Sequence, residues 1–201
     1  MILAAWIMEL PTYEQLDIGT DTAHLAVFLL DEYIIRACPQ DIKKNRFQLV
    51  GAICVQMACD MMQPNSPTLF DLETLMNTNV RKRTFEKWQA KILCTLDFRA
   101  WRMSPYEWML VLMEKKGREP TPYACCLLEI FMVARGCRFL NPKQVAEGVI
   151  GTDQSLLPAL KKACCKYDQL KNFEALKAHY TILRKLFGCE ILNSVWDFAL
   201  S

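Results

Sequence analysis

The chain has 201 residues, of which 52% are hydrophobic and 23% are charged. This composition predicts a folded globular protein rather than a disordered one, with room for one ordinary domain or for two helical subdomains of about 100 residues each. The formal net charge is only +2, which argues against a general affinity for nucleic acid or an anionic membrane. No apolar run approaches the roughly 18 residues of a membrane span, so we expect a soluble intracellular protein.

Residues suited to catalysis or metal binding are scarce. The only histidines are His24 and His179, and neither has the spacing of a known metal motif. Phosphate-binding glycine loops and a G-x-S-x-G nucleophile motif are also missing. None of the ten cysteines forms a C-x-x-C pair, so we interpret them as free core thiols. We therefore predict no enzyme activity, no cofactor and no metal; a helical enzyme would need a polar pocket around one of the two histidines.

The periodicity of the first half predicts five helices. Apolar residues recur with helical spacing between Pro, Gly, Asn and Asp punctuation, and strand signals are almost absent. We predict that Thr20-Asp21-Thr22 caps the second helix. The predicted helices cover residues 2–8, 23–37, 42–62, 70–76 and 80–96.

The third predicted helix is the most apolar part of this half. Between Phe47 and Met62 the only charged residue is Asp60. A helix that is apolar on all sides belongs at the centre of a bundle. Gly51, in its middle, costs about 1 kcal/mol relative to Ala and predicts that another helix backbone approaches closely there.

The pattern restarts after a break near residue 100. Ser104-Pro105 is typical of an N-cap followed by Pro at the first helical position. Helices are predicted at residues 105–115, 121–136, 141–150, 154–167 and 171–187. The sequence thus predicts an all-α fold of two tandem five-helix bundles, with domains at residues 1–98 and 99–201.

Two segments of the first half carry a family resemblance. Residues from His24 to Asp31 read HLAVFLLD, and residues from Phe47 to Ala52 read FQLVGA. Together they resemble the cyclin box, in which a second helix reads H-L-A-V-x-x-x-D-R and a third reads L-Q-L-V-G. Glu32 stands here in place of the usual arginine.

The resemblance extends over most of the chain and weakens after about residue 145. Trp6 is similar to the tryptophan of the family's first helix, and Leu96-Asp97-Phe98 to the end of its fifth. Ser104-Pro105 and the stretch 137–142 are similar to parts of a second repeat.

The resemblance implies that the protein binds and modulates a cyclin-dependent kinase through its third and fifth helices, in the nucleus and cytoplasm. Two polar residues that grip the kinase in this family, a lysine and a glutamate, are replaced by Asp60 and Gln89, and Glu86 offers a substitute carboxylate one turn earlier. These departures, with the short length, are typical of a fast-evolving or viral member. The implied kinase-binding residues are Asp60, Met61, Met62, Phe70, Glu86 and Gln89.

The family also has an apolar groove that docks substrates with Arg-x-Leu motifs. Here Glu9 supplies an acid for the arginine, and Lys44 replaces a family arginine without its bidentate geometry. Leu3 and Trp6 are alternatively plain core residues. The implied groove residues are Ile2, Leu3, Trp6, Glu9, Lys44, Phe47 and Gln48.

A basic cluster stands apart from these sites. Arg81, Lys82, Arg83 and Lys87 gather at the start of the fifth predicted helix, where cations oppose the helix dipole. They form either a solvated face or a binding surface. The alternative function is a cyclin-fold adaptor that binds transcription machinery or nucleic acid, which would give steeply salt-dependent binding. The modest net charge makes nucleic acid the less favoured partner.

Overall fold

The computed structural model of the chain describes residues 2–37, 46–120, 124–125, 128–129, 132 and 141–150. This part of the chain contains α-helices and short 3-10 turns and no strand, which confirms the predicted all-α class. The division into two tandem five-helix bundles stays a prediction, because the predicted helices at 154–167 and 171–187, and most of 121–136, lie outside the described residues. The α-helices with complete bounds are α1 (Ile2–Glu9), α2 (Thr20–Arg36), α3 (Phe47–Met62), α4 (Leu69–Met76), α5 (Lys82–Thr95), α6 (Pro105–Glu114) and α7 (Pro142–Val149).

The chain divides into two compact units. One unit is Trp6–Arg102, which holds α2 to α5 and the end of α1. The described residues after Arg102 belong to the other unit, together with the start of α1. The predicted domain boundary between residues 98 and 99 stays a prediction.

The core of the Trp6–Arg102 unit lies between α2 and α3. These two helices make the most extensive helix contact of the unit, and α3 also contacts α4 and α5. Every residue of α3 from Leu49 to Cys59 is buried except Gln56. The apolar helix predicted after Pro39 is therefore enclosed by its neighbours, as expected for the centre of a bundle. Its first predicted residues, 42–45, lie outside the described part.

The start of α2 differs from its prediction. The N-cap residue is Gly19, which makes no side-chain capping hydrogen bond, and the helix already includes Thr20. Asp21 lies in the first turn, where its Oδ1 accepts a hydrogen bond from the Thr22 N–H at 2.8 Å. The predicted capping role of these residues was wrong, because they lie inside the helix. Asp21 instead favours the helix through its dipole, since a carboxylate in the first turn is stabilising.

Two other helix starts have complete capping boxes. At α4, Thr68 accepts a hydrogen bond from the Asp71 N–H, and Asp71 accepts one in return from the Thr68 N–H. At α6, Ser104 and Glu107 make the same reciprocal pair, with Pro105 as the first helical residue. The Ser104-Pro105 prediction is confirmed, and each box satisfies backbone donors that would otherwise lack a helical partner.

The helices α6 and α7 pack against each other in their own unit. Their buried side chains include Met109 and Met113 from α6 and Val145 from α7. The Lys143 ammonium lies 5.8 Å from the centre of the Trp108 ring, in reach of a cation–π interaction. These contacts confirm helices close to the predicted ranges 105–115 and 141–150.

Candidate functional site

On the Trp6–Arg102 unit, the end of α3 and the start of α4 carry apolar side chains that are not fully buried. These two helices contact each other. Met61 and Met62 are partly buried in the last turn of α3, and Asp60 beside them is exposed. Phe70, in the first turn of α4, is 73% exposed, although phenylalanine is usually buried. We call Asp60, Met61, Met62 and Phe70 the α3–α4 surface.

An open pocket of about 340 Å³ lies beside Phe70. Its lining is largely polar, and internal hydrogen bonds fix part of it. Glu73 Oε1 accepts a hydrogen bond from the Val80 N–H at 2.6 Å, and the Thr74 hydroxyl donates to the Phe70 carbonyl at 2.9 Å. Phe70 therefore offers an apolar contact directly beside hydrogen-bonding groups. The pocket is lined by Phe70, Glu73, Thr74, Asn77, Thr78 and Asn79.

Asp60 has a defined orientation despite its exposure. Gln56, one turn earlier on α3, donates a hydrogen bond from Nε2 to Asp60 Oδ1 at 2.9 Å. The carboxylate lies near the C-terminal end of α3, where the helix dipole disfavours negative charge. Burial, and secondarily this carboxylate, raise the pKa of the neighbouring Cys59 thiol to about 12.

Glu86 and Gln89 lie on α5, at positions that share a face of the helix. Glu86 is exposed, and its Oε1 lies 3.9 Å from the ammonium of Lys82 on the preceding turn. Gln89 is partly buried. The substitute carboxylate predicted at Glu86 is therefore accessible and already has a weak ion-pair partner.

The structure describes the predicted docking groove only in part. Lys44 lies outside the described residues. Ile2 and Leu3 belong to the other compact unit, with Leu3 partly buried. Trp6 and Glu9 are partly buried on α1, while Phe47 and Gln48 are exposed at the start of α3. The groove as a whole stays a prediction.

A charged network missed by the sequence analysis surrounds Glu32. Glu32 Oε2 lies 2.9 Å from Arg36 on the next turn of α2 and 3.4 Å from Arg102. Arg36 also lies 3.4 Å from Asp97, in the turn after α5. Glu32, which replaces an arginine of the family motif, is thus placed between two arginines of this chain. The Arg36–Asp97 and Glu32–Arg102 pairs join residues that are 61 and 70 positions apart, so no local sequence pattern could reveal them.

Two exposed aromatic residues follow α5 and were also missed. Phe98 is 72% exposed and Trp101 is 61% exposed. The backbone of Phe98 lies in the left-handed region, with a φ of 54°, which is uncommon for a bulky residue. An apolar letter after a helix does not reveal its exposure, so sequence periodicity had no means of finding these two side chains.

The described residues contain no group of three or more His, Cys, Asp or Glu that could hold a metal ion. His24 is fully buried in α2, and His179 lies outside the described part. Cys54 and Cys59 are buried, as predicted for core thiols, whereas Cys94 on α5 is exposed, so the prediction was wrong for this residue. Among the described helices, none is long and apolar enough to cross a membrane.

Comparison with known proteins identifies a family. Residues 1–100 match the family described as cyclin, N-terminal domain. The chain is 22% identical over 163 residues to the G2/mitotic-specific cyclin-1 of Medicago sativa subsp. varia, covering 80% of this chain and 37% of that protein. It is 27% identical over 151 residues to Cyclin-D4-1 of Oryza sativa subsp. japonica, covering 72% and 42%.

A further relative is Cyclin-B2-1 of Arabidopsis thaliana, which is 22% identical over 163 residues, covering 80% of this chain and 37% of the relative. The chain therefore spans about two fifths of the length of these relatives. The family match covers α1 to α5, and the alignments to the relatives are long enough to reach into the second half of the chain. By its cyclin box and its all-helical fold, the chain belongs to the cyclin family.

Proposed function

We propose that this chain is a non-catalytic regulatory subunit that binds a cyclin-dependent protein kinase through the α3–α4 surface and the Glu86–Gln89 face of α5. The observation that carries the proposal is the exposure of Phe70, at 73%, in the first turn of α4, the helix that follows α3 and contacts it. Exposed aromatic side chains are enriched at protein-binding surfaces relative to the rest of a protein surface.

The apolar part of this surface supplies affinity and its polar part supplies register. Buried aromatic anchors commonly contribute most of the free energy of a protein interface. The pocket beside Phe70 would receive a partner side chain, and the carboxylates of Asp60 and Glu86 would meet cations of the partner. Since Asp60 and Gln89 replace the family's lysine and glutamate, we propose a kinase contact whose charges differ correspondingly.

The proposed effect on the kinase is allosteric. A fixed helical surface would bind the active arrangement of the kinase's mobile helix and loop more tightly than the inactive one, and so shift the population between them. The Trp6–Arg102 unit suits this role because its contacting helices α3 and α5 are anchored in a buried core. We propose that this regulation concerns cell-cycle or transcription control, in the nucleus and cytoplasm, with Arg-x-Leu substrates docking near Trp6.

A pull-down against a panel of cyclin-dependent kinases, read for both binding and substrate phosphorylation, tests the proposal. We expect the chain to retain at least one kinase, and the Phe70→Ala variant to retain much less of it. Loss of a central aromatic anchor typically costs about 2 kcal/mol or more in binding, which corresponds to roughly thirtyfold in Kd.

The matched control is Phe98→Ala, since Phe98 has the same residue type and an exposure of 72%. Equal loss of binding in both variants would contradict a specific role for the α3–α4 surface. If the folded chain retains no kinase from the whole panel, the proposed function is overturned. DNA binding that falls steeply with salt would favour the adaptor alternative.

A further inference from the structure

The start of α5 concentrates positive charge in a chain that is otherwise almost neutral. Arg81, Lys82, Arg83 and Lys87 fall within one stretch of seven residues, and all four are exposed. Lys82 has an ion-pair contact with Glu86 at 3.9 Å. Among the described residues, the other three cations have no acidic partner. We call Arg81, Arg83 and Lys87 the α5 basic face.

Helix geometry places this face toward solvent. Phe85 and Ile92 are the buried anchors of α5. Arg83 and Lys87 each lie two residues from Phe85, which is a rotation of about 200° around a helix of 3.6 residues per turn. They are four residues apart, so their side chains are neighbours on one face. Arg83 and Lys87 are therefore opposite the buried side of α5, whereas Arg81 precedes the helix as its N-cap, and Glu86 and Gln89 lie on another side.

The α5 basic face is electrostatically unfavourable without a partner. Two like charges four residues apart on a helix repel each other. Positive side chains near the N-terminal end also oppose the helix dipole. Arg81, at the N-cap position, makes no side-chain capping bond, and the first turn of α5 contains no acidic residue. A bound anionic group would relieve all of these interactions together.

We propose that the α5 basic face binds an acidic segment, rich in Asp and Glu, of a partner protein. From Arg81 to Lys87 the cations extend along about 9 Å of helix, at a rise of 1.5 Å per residue. That spread suits several carboxylates along a peptide better than a single phosphate group, which needs donors converging on one point.

A nucleic acid fits this face less well than an acidic peptide. A continuous phosphate backbone calls for cations spread along an extended surface, whereas the formal net charge of the chain is only +2. The ring of Trp88, which might otherwise stack on a base, already has the Lys91 ammonium at 5.2 Å from its centre. The proposal does not depend on the kinase as a partner, because it follows from the charges of α5 alone.

Fluorescence anisotropy with a labelled synthetic peptide of alternating Glu and Ser, at low ionic strength, tests this inference. We expect the full chain to bind the peptide and the double variant Arg83→Glu/Lys87→Glu to bind it about tenfold more weakly, since several exposed charge pairs each contribute a small factor. The matched control is Lys115→Glu/Lys116→Glu, which makes the same charge change at exposed positions after α6. Because this control makes the same change in net charge, only the loss of binding beyond that of the control is specific to the α5 basic face, and we expect the control to lose less.

Three results would overturn the inference. The first is no binding of the peptide by the unmodified chain. The second is an equal loss in both double variants, which would mean that only overall charge matters. The third is tighter binding of a DNA duplex, or of a neutral peptide with one phosphoserine, than of the acidic peptide. Because no kinase takes part in the assay, each of these results leaves the proposed function unaffected.

Discussion

The two helices that follow α3 begin in opposite ways. The start of α4 is stabilised locally, with a Thr68–Asp71 capping box and an acid in the first turn. The start of α5 has Arg81 at the N-cap without a capping bond, and Lys82 and Arg83 in its first turn. Local interactions therefore favour α4 and disfavour α5. The comparison teaches that α5 is held by packing rather than by its own ends, which leaves its first turn available for charges that suit a partner.

Removing a packing anchor of α5 should have the largest effect. Ile92 is fully buried in α5, so we expect Ile92→Ala to lower the free energy of unfolding by about 2–5 kcal/mol through lost burial and the cavity left behind. Chemical denaturation of the purified chain measures this. The matched control is Ile35→Ala, at 45% exposure on α2, which should change stability by less than about 0.5 kcal/mol. Similar values for both variants would contradict the importance of packing at α5.

Removing the cap of α4 should have an intermediate effect. We expect Thr68→Ala to lower the free energy of unfolding by about 1 kcal/mol, because the Asp71 N–H loses its side-chain acceptor. Denaturation curves at neutral pH give this value. An unchanged midpoint would mean that the capping box adds nothing to α4.

The same cap also predicts a pH dependence. Hydrogen bonds from the Thr68 side chain, and then from its backbone N–H, lower the pKa of Asp71 below its ordinary value. A carboxyl with a lowered folded-state pKa stabilises the fold above its unfolded-state pKa, about 4, and loses that contribution as the pH falls through the folded value. Acid titration should therefore destabilise the unmodified chain more than Asp71→Asn below about pH 4. Parallel acid curves would contradict this assignment.

Reversing a charge in the first turn of α5 should have the smallest effect, and its sign is opposite. Replacing Arg83 by Glu removes a like-charge neighbour of Lys87 and adds an acid near the N-terminal end of the helix. We expect Arg83→Glu to raise the free energy of unfolding by about 0.3–1 kcal/mol at low salt, and less at high salt. A loss of stability would show that Arg83 has a structural role that the described contacts do not contain.

Several described elements could be predicted from the sequence, because apolar spacing indicates which helix is enclosed and cap residues indicate where a helix begins. The nearly uncharged run in α3 predicted its central place, and Ser104-Pro105 predicted the start of α6. The start of α2 was less clear, because Thr and Asp are favoured both as caps and in the first turn of a helix.

The sequence could predict which residues belong to the candidate site but not whether their side chains are exposed. Sequence motifs indicated Asp60 and Gln89 through a family resemblance, but periodicity cannot show that Phe70 is exposed while Phe85 is buried. The Glu32–Arg102 pair could not be predicted either, since it joins residues 70 apart that meet only after folding. Long-range pairing depends on the packed arrangement of helices rather than on the order of neighbouring residues.

A buried thiol on α3 and an exposed thiol on α5 together allow the opening of the Trp6–Arg102 unit to be measured. Cys54 is fully buried, and burial, with a smaller contribution from Asp31, raises its pKa far above the ordinary range of a thiol. Only the thiolate reacts readily with alkylating reagents, so the labelling of Cys54 must wait until α3 is exposed to water. Exposed Cys94 on α5 requires no such event. The ratio of the two labelling rates therefore reports how often the central helix opens, and a bound partner that holds this unit closed would slow the first rate alone.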